Sequence, residues 1–450
     1  MDFSNLFDRV PRNKLLEYLK NLGCGRVMLT AIKNMYKCTR NLLKAATVQA
    51  TVGVRQGAPS SCLLFVLYMD KMIKMLKEAI IADGFLGAMH ALLLMDDTVI
   101  VATSREMCIK KMKIVLQYCE EYGMQLNDKK TKFFVINHDE NDKLSMKVRN
   151  YEINYCPRYL YLGGWFSDTG KMKQVVDMHV VSGEAVVNKF AVFSAANTDM
   201  PYCYKKRVFD AAISASLLYG SETWLTNNYA GISRQYNKVV KCLLGVRGNT
   251  SVNLCLVESG IAPMQNVVAC KRKKFLEFKL HEPDLGQPFH FVYNLCQEAN
   301  TPGYRFLRNS LQFDTTTDQL HGIKQLIMNK PVTAKKYHTY KTELNPDLSL
   351  HEVYSSRDYV PDYVRQAFTR IRLMSHNLKI EKGRWSRIPR EQRLCSCNTD
   401  SIQTESHALL ECSLSQDTRQ RYPVLNFHSL SQLFGDTNNI EKLCTYIAIT

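Results

Sequence analysis

Two adjacent aspartates, Asp96 and Asp97, sit in LLLMDDTVIVA, a run in which nothing else is charged. Setting two carboxylates among residues that must pack is costly unless their charges are neutralised. A divalent cation does this, and Mg²⁺ takes one or two carboxylates together with phosphate oxygens and water. The pair reads equally well as a solvent-exposed turn, since Asp is a good turn former. Near the start, Asp2 and Asp8 flank DFSNLFD, just before a helical pattern. A carboxylate at a strand end beside an Asp-Asp turn is the donor set of a two-metal phosphoryl-transfer centre. There one ion lowers the pKa of an attacking 3′-hydroxyl and the other steadies a leaving pyrophosphate. Asp2 is the better ligand of the two, because Asp8 stands at the mouth of the helix and can serve as its cap.

A second set of donors lies near the C-terminus. Cys395-x-Cys397, nine residues, His407, four residues and Cys412 make a CCHC pattern. Three thiolates and an imidazole can close a tetrahedral structural Zn²⁺ site. The one-residue first spacing is tight for such a site, so buried free thiols and a helix-face His407 stand as the alternative. Just upstream, Arg384, Trp385, Arg387 and Arg390 interleave an aromatic ring with guanidiniums, a combination suited to phosphate contact and base stacking. Trp385 reads equally as packing for a small domain.

These residues need elements to hold them. The periodicity predicts helices over 11–22, stopped by Gly23, and over 26–36. Residues 42–54 read as a strand or hairpin leading into a turn at 55–59. Ser60 and Ser61 are placed to cap a long helix over 62–81. Residues 87–102 read as two short strands broken by Asp96-Asp97, 105–122 as a helix ending at Gly123, and 132–136 and 159–166 as strands. Beyond 170 helical periodicity predominates. The exception is 281–350, where weaker periodicity and Pro283, Pro288, Pro302, Pro331 and Pro346 make the pattern read as a connector with some ordered helix. The class is α+β rather than doubly wound.

The formal charge is +17, on 59 Lys/Arg against 42 Asp/Glu. It is concentrated over 201–280, with 12 basic and 4 acidic residues, and over 365–393, with 9 and 2. That distribution predicts two nucleic-acid-facing surfaces. A composition 46% hydrophobic and 22% charged excludes wholesale disorder. No secretory signal opens the chain, and its longest apolar runs fall short of the ~20 residues that span a bilayer. The expected setting is intracellular, without a membrane partner, and the scattered cysteines read as reduced, buried thiols.

DFSNLFDRVPRNKLLEYL, GVRQGAPSSCLLFVLYMD, LLLMDDTVIVATS, GMQLNDKKTKF and YLYLGGWFS follow one another in that order. Together they resemble the palm motifs of reverse transcriptases of non-LTR (LINE-like) retrotransposons. Later strings, YGSETW and HNLKIEKGRWSRIPREQRLCSC, are similar to the thumb and C-terminal region of those elements. The resemblance implies a palm of antiparallel sheet and packed helices over 1–168 and a helical thumb over 169–280. A connector over 281–350, a basic C-terminal domain with a zinc-knuckle-like module over 351–430, and a tail over 431–450 complete the expected plan.

The activity it implies is RNA-directed DNA polymerisation, with two Mg²⁺ ions on Asp2, Asp96 and Asp97. The partners would be an RNA template, a DNA primer and deoxynucleoside triphosphates, and the nucleus is the expected site if the element is active. Phe7 falls at the position that excludes a 2′-hydroxyl; outside the motif it would read as a core aromatic. Gly53, Arg55, Gln56, Gly57 and Pro59 match the loop that holds template and nucleotide, and Lys130 a position near the departing pyrophosphate. Tyr161, Leu162 and Gly163 match the turn that grips the primer end, where a purely structural hairpin serves as well.

Departures from the family are Leu94-Met95, where Tyr/Phe-Ala is usual, and Leu6, where Ala is usual. Larger side chains there predict overpacking worth about 1–3 kcal/mol. With Asp2 as its second residue, the chain also reads as a copy truncated at the N-terminus, with the fingers and any endonuclease absent. A catalytically inactive nucleic-acid-binding remnant is therefore the alternative expectation.

Overall fold

A computed structural model describes residues 1–450 apart from 2, 5, 38, 44, 45, 56, 80, 87, 88, 96, 282–286, 356–359 and 398. For 6, 40–43, 46–48, 85 and 287 it describes the backbone alone. The chain divides into two compact units, Met1–Lys171 and Met172–Thr450.

The first unit is built on two long helices. In order it contains α1 (Leu6–Arg9), α2 (Arg12–Asn21), α3 (Arg26–Lys37), β1 (Arg40–Leu43), β2 (Ala46–Gln49) and α4 (Pro59–Glu78). There follow β3 (Ala91–Leu94), β4 (Asp97–Ile100), α5 (Arg105–Tyr122), β5 (Lys132–Phe133), β6 (Met146–Val148), β7 (Tyr151–Tyr155), β8 (Arg158–Tyr161) and β9 (Gly164–Ser167). Helix α4 buries Leu64, Phe65, Tyr68, Met69, Met72 and Leu76, a stripe at three- and four-residue spacing that faces the core. Helix α5 is capped by the Ser104 hydroxyl, which accepts from the Met107 N–H at 3.2 Å, and ends at Gly123 in the left-handed region, φ 71°.

Several expectations are corrected here. Helix α4 begins at Pro59, the position proline favours, so Ser60 and Ser61 lie inside it and cap nothing; Ser61 is buried. The expected strand over 132–136 is shortened to β5, and 159–166 is a hairpin of two strands. The sheet is not one antiparallel layer. Strands β1–β2, β3–β4 and β8–β9 are separate antiparallel hairpins, while β7 pairs antiparallel with β6 and parallel with β5. The architecture is α+β as expected.

The second unit is helical, from Met172–Ala196 to Ile440–Ile449. Its single core cluster draws on residues from Val176 to Ile447. Of the prolines in the expected connector, two start helices: Pro302 opens Pro302–Leu311, and Pro288 lies in the first turn of Gln287–Glu298, while Pro331 and Pro346 lie outside helices. From the same segment Ile327, Tyr340 and Leu344 are buried in the core, as are Leu433, Leu443 and Tyr446 of the expected tail. The two basic stretches are also less superficial than their composition suggests. Lys205, Arg272, Arg365 and Arg372 are buried, three of them ion-paired to Asp362 or Glu258. Among the described residues no helix is long and apolar enough to cross a membrane.

Candidate active site and candidate metal centre

Strands β3 and β4 pair with Leu94 opposite Asp97, and Met95 follows β3 in a turn. Met95 takes φ 54°, the left-handed conformation such a tight hairpin demands. Asp97 is thus the first residue of β4, and its side chain is exposed. Leu94 is 53% exposed, so its larger side chain does not overpack the interior, contrary to expectation. Asp2, Asp96 and Gln56 lie outside the described residues. The chain around Asp2 is nonetheless anchored. The Met1 amine donates to the Thr98 carbonyl at 2.6 Å, Phe3 bridges Leu126, and the Ser4 N–H donates to the Gln125 carbonyl at 2.8 Å. The far end of β4 is tied to α5: the buried Lys111 ammonium pairs with Asp83 at 2.5 Å and donates to the Val101 carbonyl at 2.7 Å. Burial alone would raise the Asp83 carboxyl, but hydrogen bonds from Lys111 and Thr103 hold it below its usual range.

The β8–β9 hairpin turns through Leu162 (φ 50°) and Gly163 (φ 76°), again a two-residue left-handed turn. Tyr161, at its entrance, has its phenol pushed up, first by burial and then by the charge of Asp97. Tyr161 and the acidic hairpin are therefore electrostatic neighbours. Lys130 is exposed, in a turn where its N–H donates to Asn127 Oδ1 at 3.2 Å.

The glycine-rich loop is held by a residue that sequence reading passed over. Arg12 Nε donates to the Gly53 carbonyl at 2.9 Å, and its two terminal nitrogens donate to the carbonyls of Tyr36, Ala50 and Val52 at 3.1, 2.6 and 3.1 Å. A planar fork satisfying four carbonyls fixes the loop against the end of α3. Only its place at the start of a helix is visible locally, and the acceptors lie 24 to 41 residues away. Arg55, expected to serve substrate, donates to the Met35 carbonyl at 2.8 Å, and Pro59 opens α4. Phe7 is half-buried, its ring 4.9 Å from that of the fully buried Phe65, and its carbonyl accepts the Val54 N–H at 2.8 Å.

Gly53 and Gly57 both have φ near 85°. At Gly57 a Cβ would meet nothing within 4 Å, but at Gly53 it would lie 2.9 Å from the backbone of Asp8. Gly53→Ala therefore combines a left-handed φ with a backbone collision, and we expect it to lower stability by about 2–3 kcal/mol. Urea titration of the two chains measures this, and a loss below about 0.5 kcal/mol would contradict the close approach.

In the second unit Cys395, Cys397, His407 and Cys412 converge, with all four ligand atoms within 4.8 Å of one another. Cys395 Sγ lies 3.6 Å from Cys412 Sγ, and Cys397 Sγ lies 3.3 Å from His407 Nε2. The first distance is far too long for a disulfide, whose bond is about 2.05 Å. It is close to the ~3.8 Å separating two thiolates on one tetrahedral zinc with Zn–S bonds of about 2.3 Å. A Leu394–Ile402 bridge and the Cys395 N–H to Ser401 carbonyl bond (2.7 Å) shape the first loop. The second pair flanks the helical turn His407–Glu411. His407 Nδ1 is buried without a hydrogen-bond partner and lies 3.6 Å from Glu411 Oε2, the relation by which a carboxylate orients a metal-bound imidazole. Hydrogen bonds, that of Thr399 foremost, lower the Cys397 thiol to about 6. The donor set fits zinc.

The reverse transcriptase (RNA-dependent DNA polymerase) family model matches residues 1–166. A curated relative, the retrovirus-related Pol polyprotein from type-1 retrotransposable element R2 of Nasonia vitripennis, is 24% identical over 197 residues. That match covers 40% of this chain and 19% of the relative, so the chain spans about a fifth of that protein. By these matches and by the acidic hairpin they contain, the N-terminal unit belongs to the reverse transcriptase family, of the non-LTR retrotransposon kind.

Proposed function

We propose that the chain is an RNA-directed DNA polymerase of a non-LTR retrotransposon, extending a DNA primer on an RNA template with deoxynucleoside triphosphates. The observation that carries this reading is Asp97 at the head of β4, in a hairpin whose charge reaches Tyr161 of the β8–β9 turn. Asp2, Asp96 and Asp97 would hold two Mg²⁺ ions, which supply activation of the primer 3′-hydroxyl and neutralisation of the leaving pyrophosphate. The protein's own share is positioning, which dominates catalysis of phosphoryl transfer. The Arg12-clamped loop holds Gly57 open, with nothing within 4 Å of where a Cβ would stand, so that template or nucleotide can approach the backbone there. Phe7, braced by Phe65, excludes a 2′-hydroxyl, and the Tyr161–Gly163 turn supports the primer end. Lys130 donates a proton to the departing pyrophosphate.

In the second unit we assign thumb helices and a structural Zn²⁺ on Cys395, Cys397, His407 and Cys412. The test is primer extension by the purified chain with an RNA template, Mg²⁺ and deoxynucleotides. Templated extension supports the polymerase. Its absence, with RNA binding retained, would favour the nucleic-acid-binding remnant instead.

A further inference from the structure

The second unit contains a cavity of about 830 Å³ whose walls carry Arg247, Arg370, Lys379 and Lys382 and no Asp or Glu. Among the described residues none of these four cations is in an ion pair, although ion pairs are frequent elsewhere in the unit. Arg247 is held in place: its backbone N–H donates to Ser375 Oγ at 3.0 Å, and its guanidinium donates to the His376 carbonyl at 3.1 Å and to Asn377 Oδ1. Arg370 Nε donates to the Gly245 carbonyl at 2.7 Å and its terminal nitrogen to Gln366 Oε1 at 3.0 Å. Each guanidinium has five N–H donors, so each keeps three beyond these bonds, on a fork whose orientation is already fixed. Burial, then the charges of Arg247 and Arg365, push the Arg370 guanidinium below its usual value. The charge of Asp362 offsets this only in part, and a bound anion would relieve the rest.

Arg247 also links the cavity wall to Trp385: its guanidinium lies 3.7 Å over that ring, which is 41% exposed. An indole with one face on a cation and surface left open to solvent is a stacking platform for a base. The size fits more than a single small anion, since cavities of roughly 300–1,000 Å³ take ligands of many heavy atoms.

We infer that this cavity binds the phosphodiester backbone of a single-stranded nucleic acid, with Trp385 stacking on a base beside Arg247. Arg247 and Arg370 contact phosphate as fixed forks, and Lys379, whose ammonium donates to Ser396 Oγ at 3.1 Å, and Lys382, both exposed, add charge. An acidic peptide would use the cations but leave the indole unexplained. The inference does not rest on the polymerase reading, because every residue of the cavity belongs to the second unit.

The test measures binding of a fluorescein-labelled 12-nucleotide single strand to the full chain between 50 and 200 mM KCl. The Lys379→Gln/Lys382→Gln variant removes two cations without touching the core. Each phosphate contact contributes about 0.7 to the slope of log affinity against log salt, so the slope should fall by about 1.4. Affinity at 0.1 M salt should weaken by about 20-fold. A control, Lys189→Gln/Lys238→Gln, makes the same charge change at exposed positions away from the cavity and should alter the slope far less. Addition of the strand should also quench tryptophan emission in the wild type and not in Trp385→Phe. Equal effects of the two double variants, or quenching that survives Trp385→Phe, would overturn the inference. So would displacement of the strand by micromolar tripolyphosphate or polyglutamate at constant ionic strength, which would identify a free polyphosphate or an acidic peptide as the ligand.

Discussion

Glu258→Gln lowers the stability of the second unit by about 3–5 kcal/mol, the range observed when one partner of a buried ion pair is removed. Glu258 and Arg372 are 1% and 2% exposed, and they meet through two bonds of 2.6 and 3.2 Å. The hydroxyls of Tyr340 and Tyr354 donate to the same carboxylate at 2.7 and 2.8 Å, and Arg372 also donates to the Leu344 carbonyl at 2.5 Å. Burial alone would raise the Glu258 carboxyl, but the charge and hydrogen bonds of Arg372 hold it below its usual value of 4.5. Glutamine keeps the shape and loses the charge, so Arg372 is left buried and uncompensated. The sign of the pH dependence follows from the lowered carboxyl. The contribution is complete above about pH 4.5 and is lost as pH falls through the lowered value. Urea titration monitored by circular dichroism gives the loss directly. The double variant Glu258→Met/Arg372→Met should recover part of it, because it buries no lone charge. A Glu258→Gln loss below about 1 kcal/mol would show that the pair is not buried as described.

Removal of zinc should have an effect at least as large on the C-terminal region. Structural zinc sites in isolated peptides contribute apparent free energies of about 10–16 kcal/mol at neutral pH. In a domain with its own core a smaller share is expected, at least about 3 kcal/mol, or roughly 6–12 °C in melting temperature. Wild-type chain purified without chelators should carry about one zinc per molecule. Cys412→Ser and prolonged chelation should each abolish it and lower the melting temperature alike. The alternative, three free thiols and a helix-face histidine, predicts no zinc and a small effect, since a buried Cys→Ser change exchanges one small side chain for another. The 3.6 Å separation of Cys395 and Cys412 and the unpartnered Nδ1 of His407 beside Glu411 favour the metal.

The contrast between these sites explains what could be read in the sequence. The acidic hairpin was legible because it is local: a continuous apolar run, interrupted by two aspartates, can turn back only at the interruption. Helix α5 was legible for the same reason, with a serine cap, a three-to-four period and a terminal glycine within one segment. The CCHC set was legible because its donors lie within 18 residues of one another. Arg12, Glu258 and Arg372 were not, because their partners lie tens to more than a hundred residues away and leave no local pattern. Arg372 illustrates a second limit. A basic residue in a basic stretch reads as surface, and only the arrival of Glu258 from a distant helix makes burial affordable. Pro288 and Pro302 misled for a third reason, since the same residue that breaks a helix interior is favoured in its first turn. The residues at the centre of the polymerase reading, Asp2 and Asp96, were found from sequence and lie outside the described residues.

That reading is tested most directly by comparing primer extension by the wild type and by Asp96→Ala, on an RNA template with Mg²⁺ and deoxynucleotides. Loss of a carboxylate that holds the reacting metals should reduce extension by about a thousandfold, or about 4 kcal/mol of transition-state stabilisation. The melting temperature and the affinity for the template should be unchanged. Extension by the wild type alone is the predicted result. Extension of equal rate by Asp96→Ala, or none by a folded, template-binding wild type, would contradict it.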